Sequence, residues 1–528
     1  MKLAFVAAFV VLAFPAAARA GGASLVVRDV PLHGERALAA AGSPRFDLVG
    51  LHWRGPGSVL FSTRSLVGRW SAWRPAAPEA EDAPDVLTPE AARDASWRLG
   101  SPYWTGSSDG IRYRLRGRVS RLRAYFVRAR AVAVPPRTLS IAGSPLVVPR
   151  LGWSANERIR RHRPRYAPTL RLAIVHHTAG SNSYSRSQSA AIVRAIEVYH
   201  VLGNGWDDIG YNFLVDKYGQ IFEGRYGGID RNVVGAHAQG FNTGSVGVAL
   251  MGTYTSRKPT AAALRSLEAL LAWRLDLAHV NPRGSLTYLS GGNPRFGPGV
   301  PVFLRTIAGH RDTGFTTCPG YALYRQLPSI AIAVSKMGLP KLYAPVVTGR
   351  VPGLVRFRAR LSSALPWTVT VTDADGVILA SGTGTTAAVD WTWDARSYGR
   401  GKYYWTISAG SSVRPAIGTL GGGGNPAPVR ISDATAQPPV ISPNGDGVDD
   451  YATISYALSA PATVTATLLD ADGVTVSTLF ADELHGAGPQ SFVFYGDGVP
   501  DGSYTIVLQA KANGKTVTAN VVLAIARS

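Results

Sequence analysis

The sequence predicts a multidomain chain. An α/β domain at residues 148–343 lies between a β-rich N-terminal domain at 21–147 and two C-terminal β-sandwich modules at 344–420 and 428–528, with a Gly-rich linker at 421–427 between the modules. Three observations carry this. A chain of 528 residues is too long for one hydrophobic core, and length alone suggests about three to five domains. Short apolar runs bounded by Gly and Pro fill both ends, whereas helical spacing gathers in the middle. The C-terminal part also repeats itself about one hundred residues apart. Asp373-Ala-Asp-Gly-Val377 returns as Asp470-Ala-Asp-Gly-Val474, and Gly401-Lys-Tyr403 as Gly502-Ser503-Tyr504.

Residues 1–20 read as a secretory leader: Lys2, an apolar run from Leu3 to Phe14, then the small-x-small site Ala18-Arg19-Ala20. No later stretch reaches the ~18–20 uninterrupted apolar residues of a membrane helix, so a secreted or cell-wall-associated monomer without a transmembrane segment is expected. In the N-terminal domain, Phe46 to Trp53 and Val59 to Arg64 read as strands. From Ile111 to Val119 the pattern alternates, with Ile111, Tyr113, Leu115 and Val119 on one face and Arg112, Arg114, Arg116 and Arg118 on the other, and a turn falls near Ser120. Ala77 to Pro89 is acidic, Pro-rich and read as a loop.

The charge of +21 and pI of about 10.2 favour anionic surroundings such as acidic cell-wall polymers. The densest basic cluster, Arg158 to Arg165, has little aromatic interleaving, so a nucleic-acid partner is not expected.

In the α/β domain, Leu172 to Val175 is a short buried strand. Ser185 to Val201 is a helix with Ile192, Ile196 and Tyr199 inward and a Ser185/Gln188 capping box. Tyr211–Val215 and Gln220–Glu223 flank a hairpin turn, Ser245–Met251 is a strand, and Thr260–His279 is the clearest helix. Gly284–Thr306 is Gly- and Pro-rich with a hairpin around Gly291-Gly292-Asn293, and Tyr321–Lys336 is a helix interrupted by Pro328.

Three soft donors stand out: His176, His310 and Cys318, the last being the one cysteine of the chain. A lone thiol in an exported chain calls for a reason, such as a free thiol, an intermolecular bridge or a metal. Two imidazoles and a thiolate are three of the four tetrahedral positions of zinc, and a site with an open fourth position is catalytic rather than structural. Such a zinc activates water and polarises a carbonyl.

The surroundings raise the specificity. Val175-His-His-Thr-Ala179, Asp208-Ile-Gly-Tyr-Asn-Phe213, Ile221-Phe-Glu-Gly-Arg225, Gly235-Ala-His-Ala238 with Phe241-Asn242, Ser245-Val-Gly-Val-Ala249 and Gly309-His-Arg-Asp312 with Cys318-Pro-Gly320 stand in this order, after an opening Arg150-Leu-Gly-Trp153. Over about residues 150–335 the sequence resembles the peptidoglycan recognition proteins and amidase_2 zinc N-acetylmuramoyl-L-alanine amidases. The resemblance implies a mixed central sheet with flanking helices and a groove across one zinc ion. It implies His176, His310 and Cys318 as ligands and Tyr211 and Thr316 as catalytic hydroxyls. His177, His237, Asn242 and Arg311 are expected to bind substrate, although His177 faces opposite to His176 on a strand and also suits core packing. The implied reaction is hydrolysis of the lactyl–L-alanine amide of peptidoglycan. Tyr211, His237 or Glu223 is the candidate general base, Glu223 being otherwise a partner for Arg225. A non-catalytic peptidoglycan-binding protein on the same fold is the alternative, and a structural surface protein a third reading. Animal members carry a disulfide that this chain cannot form, and Gly284–Thr306 is long for the family.

The C-terminal modules resemble immunoglobulin-like domains of the flagellar hook-capping type, on Asp373 to Val377 with Trp391 and Tyr403, and Asp470 to Val474 with Tyr504. Between Ser442 and Asp450, Asn444, Asp446, Asp449 and Asp450 set hard oxygen ligands among glycines, a calcium candidate weighed against a solvated turn.

Overall fold

The stretch Ser189–Val198 carries small or apolar side chains around nearly its whole circumference, and such a helix needs cover on every side. In the computed structural model it is an α-helix in which every residue is buried. The Ser185 backbone N–H donates to Gln188 Oε1 at 2.7 Å, as the capping-box reading expects. The structure describes residues 18–20, 22–32, 37–39, 42–77, 82–86, 88–91, 96–130, 138–140, 143–421, 429–444, 448–459, 462–485, 488–496, 498–512 and 515–527. Most of the expected leader, residues 1–17, therefore lies outside the described residues. Its end, Ala18–Ala20, pairs antiparallel with Ala23–Asp29.

One apolar cluster joins this helix to two sheets. The first is a mixed six-stranded sheet in the order Val147–Val148, Ile221–Glu223, Phe213–Val215, Ser245–Leu250, Leu172–His177, Ile307–Gly309. Only the hairpin pair Phe213–Val215 and Ile221–Glu223 is antiparallel. Leu214, Phe222 and Ala249 reach the helix from this side. The second is the nine-stranded N-terminal sheet, built around Phe46–Arg54, Tyr103–Arg116 and Arg121–Ala129. Leu25, Leu48, Tyr125 and Val127 of that sheet enter the same cluster. The boundary expected at 147/148 thus separates two sheets but not two compact bodies: 1–138, 146–268 and 285–331 form one unit.

The N-terminal sheet has a second buried face of its own, with Phe46, Phe61, Ile111, Tyr113 and Phe126. The alternation read from Ile111 onward is present, since Ile111 and Tyr113 are buried and Arg114 and Arg116 exposed. The strand ends at Arg116, so the chain turns before Ser120. Its arginines are not simply solvated. Arg112 lies over Trp70 and Trp73 at 4.5 and 4.9 Å, and Arg114 over Trp73 at 4.1 Å.

Where helix meets N-terminal sheet, Gly50 makes room for Tyr199. A Cβ at Gly50 would sit 2.0 Å from the Tyr199 ring. Tyr199 Oη donates to the Gly100 carbonyl at 2.6 Å and lies 3.1 Å from His52 Nε2. Burial pushes the His52 imidazole down to about 4, so it is neutral there. Beside the helix, Arg150 is buried among Glu197 at 2.9 Å, Asp208 at 3.1 Å and Glu157 at 2.7 Å. Its backbone N–H donates to Glu223 at 3.2 Å. Burial pushes the Glu197 and Glu223 carboxyls up to about 7, against the pull of Arg150.

The long hairpin Ser285–Leu289 and Pro301–Arg305 accounts for the Gly- and Pro-rich insert. The interrupted helix is two helices, Tyr321–Tyr324 and Leu327–Lys336, with Pro328 in the first turn of the second, where a missing N–H costs little.

The second unit, 139–145, 269–284 and 332–528, contains two sandwich-sized sets of strands. Leu342–Gly349, Leu354–Leu361 and Ala388–Asp394 form one sheet, and Ile378–Gly384, Trp367–Thr372, Tyr403–Ser408 and Ala416–Leu420 another, around one core. The same order recurs in Ile431–Gln437, Ala452–Leu458, Gly488–Phe494 and in Thr475–His485, Ala462–Leu469, Gly502–Ala512, Lys515–Ile525, with Val440–Ile441 added at the edge. The repeated motif makes the repeated turn. Asp373 Oδ1 accepts from the Asp375 and Val377 N–H groups, and Asp470 Oδ1 from those of Asp472 and Val474. Tyr403 Oη donates to Gly399 O at 2.7 Å, and Tyr504 Oη to Pro500 O at 2.8 Å. Linker residues 422–427 lie outside the described residues, as does Asp446 of the calcium candidate. Of its companions, Asp450 is buried and the Ser442 N–H donates to Asp449 O at 2.8 Å.

Two stability predictions follow from these contacts. Gly50→Ala drives a methyl into the Tyr199 ring and lowers the urea stability of the first unit by about 1–3 kcal/mol, read from near-ultraviolet circular dichroism. Glu197 and Glu223 hold protons more tightly folded than at their ordinary value of 4.5, so what they contribute is fully present below 4.5 and is lost as pH rises through about 7. Glu223→Gln therefore flattens the fall in urea midpoint between those pH values, and an unchanged slope contradicts the assignment.

Candidate metal centre

Parallel pairing of Leu172–His177 with Ile307–Gly309 sets Val175 opposite Gly309. The residues that follow, His176 still on its strand and His310 opening the next turn, therefore lie side by side, and the two rings are 4.6 Å apart. Cys318 arrives from the loop beyond the 3-10 turn His310–Asp312. Arg311 fixes that loop: its N–H donates to the Cys318 carbonyl at 2.9 Å and its guanidinium to Thr317 O. The Arg311 guanidinium also lies over the Tyr324 ring at 4.7 Å. Thr316 Oγ1 accepts the Cys318 N–H at 3.1 Å.

The three side chains converge. Cys318 Sγ is 3.7 Å from His176 Nδ1, and it accepts the His177 backbone N–H at 3.4 Å, a contact that favours thiolate. The donor atoms of His176, His310 and Cys318 all lie within 4.8 Å of one another, and all three residues are buried. Two donors on one tetrahedral zinc, at bond lengths near 2.0 Å for nitrogen and 2.3 Å for sulfur, stand about 3.5 Å apart. The donor set therefore fits zinc in chemistry and in spacing. Among the described residues no other group of three or more His, Cys, Asp or Glu is placed to hold a metal.

His237 supports this centre from behind. Its Nδ1 lies 3.1 Å from His176 Nε2, which leaves His176 Nδ1 as the nitrogen turned toward Cys318. Burial, then the neighbouring His176 and His310, holds His237 well below the usual imidazole range, so it is neutral. A Cβ at Gly247 would come within 2.3 Å of the His237 ring, so only glycine admits it. Asn242 Oδ1 accepts the N–H groups of His237 and Ala238 at 2.8 and 3.0 Å. His177 is buried and its Nδ1 accepts the Tyr254 N–H at 3.1 Å.

Tyr211 lies beside His176, its ring tilted 58° to the imidazole with centroids 5.5 Å apart. Its hydroxyl donates at 2.5 Å to Asp82 Oδ2. Asp82 Oδ1 lies 3.4 Å from His176 Nδ1 and 3.2 Å from His310 Nδ1. This carboxylate was not singled out by sequence reading. Arg225 also differs from expectation: its partner is Glu90, with Glu223 turned instead to Arg150. Both newcomers, Asp82 and Glu90, belong to or border the acidic Ala77–Pro89 stretch. The available signal was a cluster of acids in a chain of net charge +21.

The family described as N-acetylmuramoyl-L-alanine amidase, Amidase_2, matches residues 165–321. Peptidoglycan-recognition protein SC2 of Drosophila simulans is 31% identical over 161 residues, covering 30% of this chain and 74% of that protein. An N-acetylmuramoyl-L-alanine amidase of Sus scrofa is 33% identical over 192 residues, covering 36% of this chain and 28% of that protein. Among solved structures, human PGRP-IBETAC in complex with glycosamyl muramyl pentapeptide is 32% identical, with 34% of this chain and 92% of that one covered and a TM-score of 0.27. The chain belongs to the Amidase_2 family of N-acetylmuramoyl-L-alanine amidases and peptidoglycan-recognition proteins, and its function is peptidoglycan-related.

Proposed function

We propose that this chain is a secreted zinc amidase that hydrolyses the amide between the lactyl group of N-acetylmuramic acid and L-alanine in peptidoglycan. One observation carries the reading: a buried thiol and two buried imidazoles whose donor atoms lie within 4.8 Å of one another. A recognition-only protein has no use for that donor set, whereas hydrolysis does. The family includes an N-acetylmuramoyl-L-alanine amidase among this chain's relatives, and a related structure holds a muramyl pentapeptide. No described helix is long and apolar enough to cross a membrane.

His176, His310 and Cys318 would hold the zinc, which supplies a Lewis acid and acidified water when bound. The protein's own residues do the rest. His237 fixes the orientation of His176, and Asn242 fixes His237. The Tyr211 hydroxyl donates to the oxygen of the amide carbonyl as charge builds there, and Thr316 assists from the cysteine loop. Glu223 does not serve the proton transfer, because its carboxylate accepts the Arg150 N–H. The basic surface suits an anionic wall polymer.

Cys318→Ser is expected to take bound zinc from one ion per chain to near none and to lower release of free stem peptide from purified sacculi by roughly a hundredfold or more. Mass spectrometry of the fragments names the bond cut. Unchanged release, or zinc still bound one-to-one, overturns the reading. Sacculus binding with zinc present and no peptide released at all, in the wild type and in a chain freed of Asp82, supports recognition without catalysis. Tyr211→Phe is expected to keep its zinc and lose about a hundredfold in turnover, measured on the same sacculi.

A further inference from the structure

The segment Asp82–Val86 and Thr88–Ala91 crosses the metal centre, and its acids are matched to the site one by one. Asp82 spreads its two oxygens over His176, His310 and Tyr211. The Asp82 side chain is only 11% exposed, against 0% and 1% for the two imidazoles. Three residues on, Asp85 Oδ1 accepts from the Gly240 N–H at 2.8 Å and from Asn242 Nδ2 at 2.7 Å. Between them the Ala83 carbonyl accepts from Asn242 Nδ2 at 3.0 Å. At the far end buried Glu90 accepts from the Arg225 guanidinium and from the Asp207 N–H at 2.9 Å.

This is an expensive place for a carboxylate. A buried charge is tolerated when it is paired and hydrogen-bonded, and His176, His310 and Tyr211, which Asp82 meets, all belong to the centre. Its separations from the two imidazole nitrogens, 3.4 and 3.2 Å, are those of donors sharing one small ion, which stand about 3.3 Å apart on zinc. Carboxylate oxygen is also a zinc ligand type. The substrate carbonyl would need the same metal-facing side and the same Tyr211 hydroxyl, so substrate and Asp82 exclude each other.

We propose that Asp82 is a further ligand of this metal site and that the segment it heads holds the site closed, making the folded chain a latent amidase that opens when the segment lifts. The inference rests on the zinc amidase reading above. It assigns Asp85 and Glu90 as the anchors that deliver Asp82 to the centre. The basal turnover of the wild type scales with the fraction of time the segment is lifted.

The test uses the full chain as wild type, Asp82→Ala and Asp85→Ala, each loaded with zinc or with cobalt. With cobalt, the visible spectrum of the wild type is expected to ignore added azide, whereas Asp82→Ala takes azide and its bands shift. Zinc transfer to a chelator is expected to quicken by about tenfold or more in Asp82→Ala. Stem-peptide release is expected to rise by about tenfold or more in Asp82→Ala, because the competent fraction rises, and by less in Asp85→Ala, which loosens the anchor without touching a metal donor. If Asp82→Ala misfolds, Asp85→Ala carries the same test through azide and release. Equal azide response and equal zinc transfer in all three proteins overturn the proposal. A fall in release in Asp82→Ala with zinc retained overturns it too, since Asp82 then serves catalysis. A site that opens to azide in Asp82→Ala while neither protein frees any stem peptide supports closure and sinks the amidase reading instead.

Discussion

Everything at the functional end of this chain depends on three soft donors brought out of water to within 4.8 Å of one another. Sheet register does most of that work. Because Leu172–His177 and Ile307–Gly309 are parallel neighbours, the residues following their matched positions lie side by side, and both are histidines. The thiol is a later addition from a loop, clamped by the Arg311 backbone and guanidinium and by the His177 N–H. A donor cluster built this way is rigid, because moving one imidazole means moving a central strand.

The same economy of position governs the charges. Arg150, Glu157, Glu197 and Asp208 are held together beside a fully buried helix, where an unpaired member would be strongly destabilising. Asp82 and Glu90 follow the same rule at the groove: each buried carboxylate meets cationic or donor groups of the site.

The strands, the clear helices, the hairpins and the internal repeat were legible because period, turn residues and caps are local signals. The Asp373 and Asp470 turns show this at its best, since the motif predicts its own hydrogen bonds. His176, His310 and Cys318 were legible from donor chemistry and the family pattern. What was not legible is what depends on packing between distant segments. Nothing near Phe46–Arg54 announces that Gly50 is there for Tyr199, and nothing in Ala77 to Pro89 says which groove its acids enter. The packing of the two sheets across 147/148 was hidden for the same reason. The helix itself is visible in the sequence, but the sheet that covers its outer face lies far upstream.

That distance has a consequence for assembly. His52 and Tyr199, which touch in the finished protein, are 147 residues apart along the chain. Synthesis delivers the N-terminal strands first, with the face bearing Leu25, Leu48 and Val127 bare until the helix Ser189–Val198 emerges. Contacts so far apart in sequence form slowly, and an uncovered sticky face invites wrong neighbours meanwhile. A chain that takes its shape only after the helix has been made escapes that hazard, with both faces of the helix filled in a single collapse.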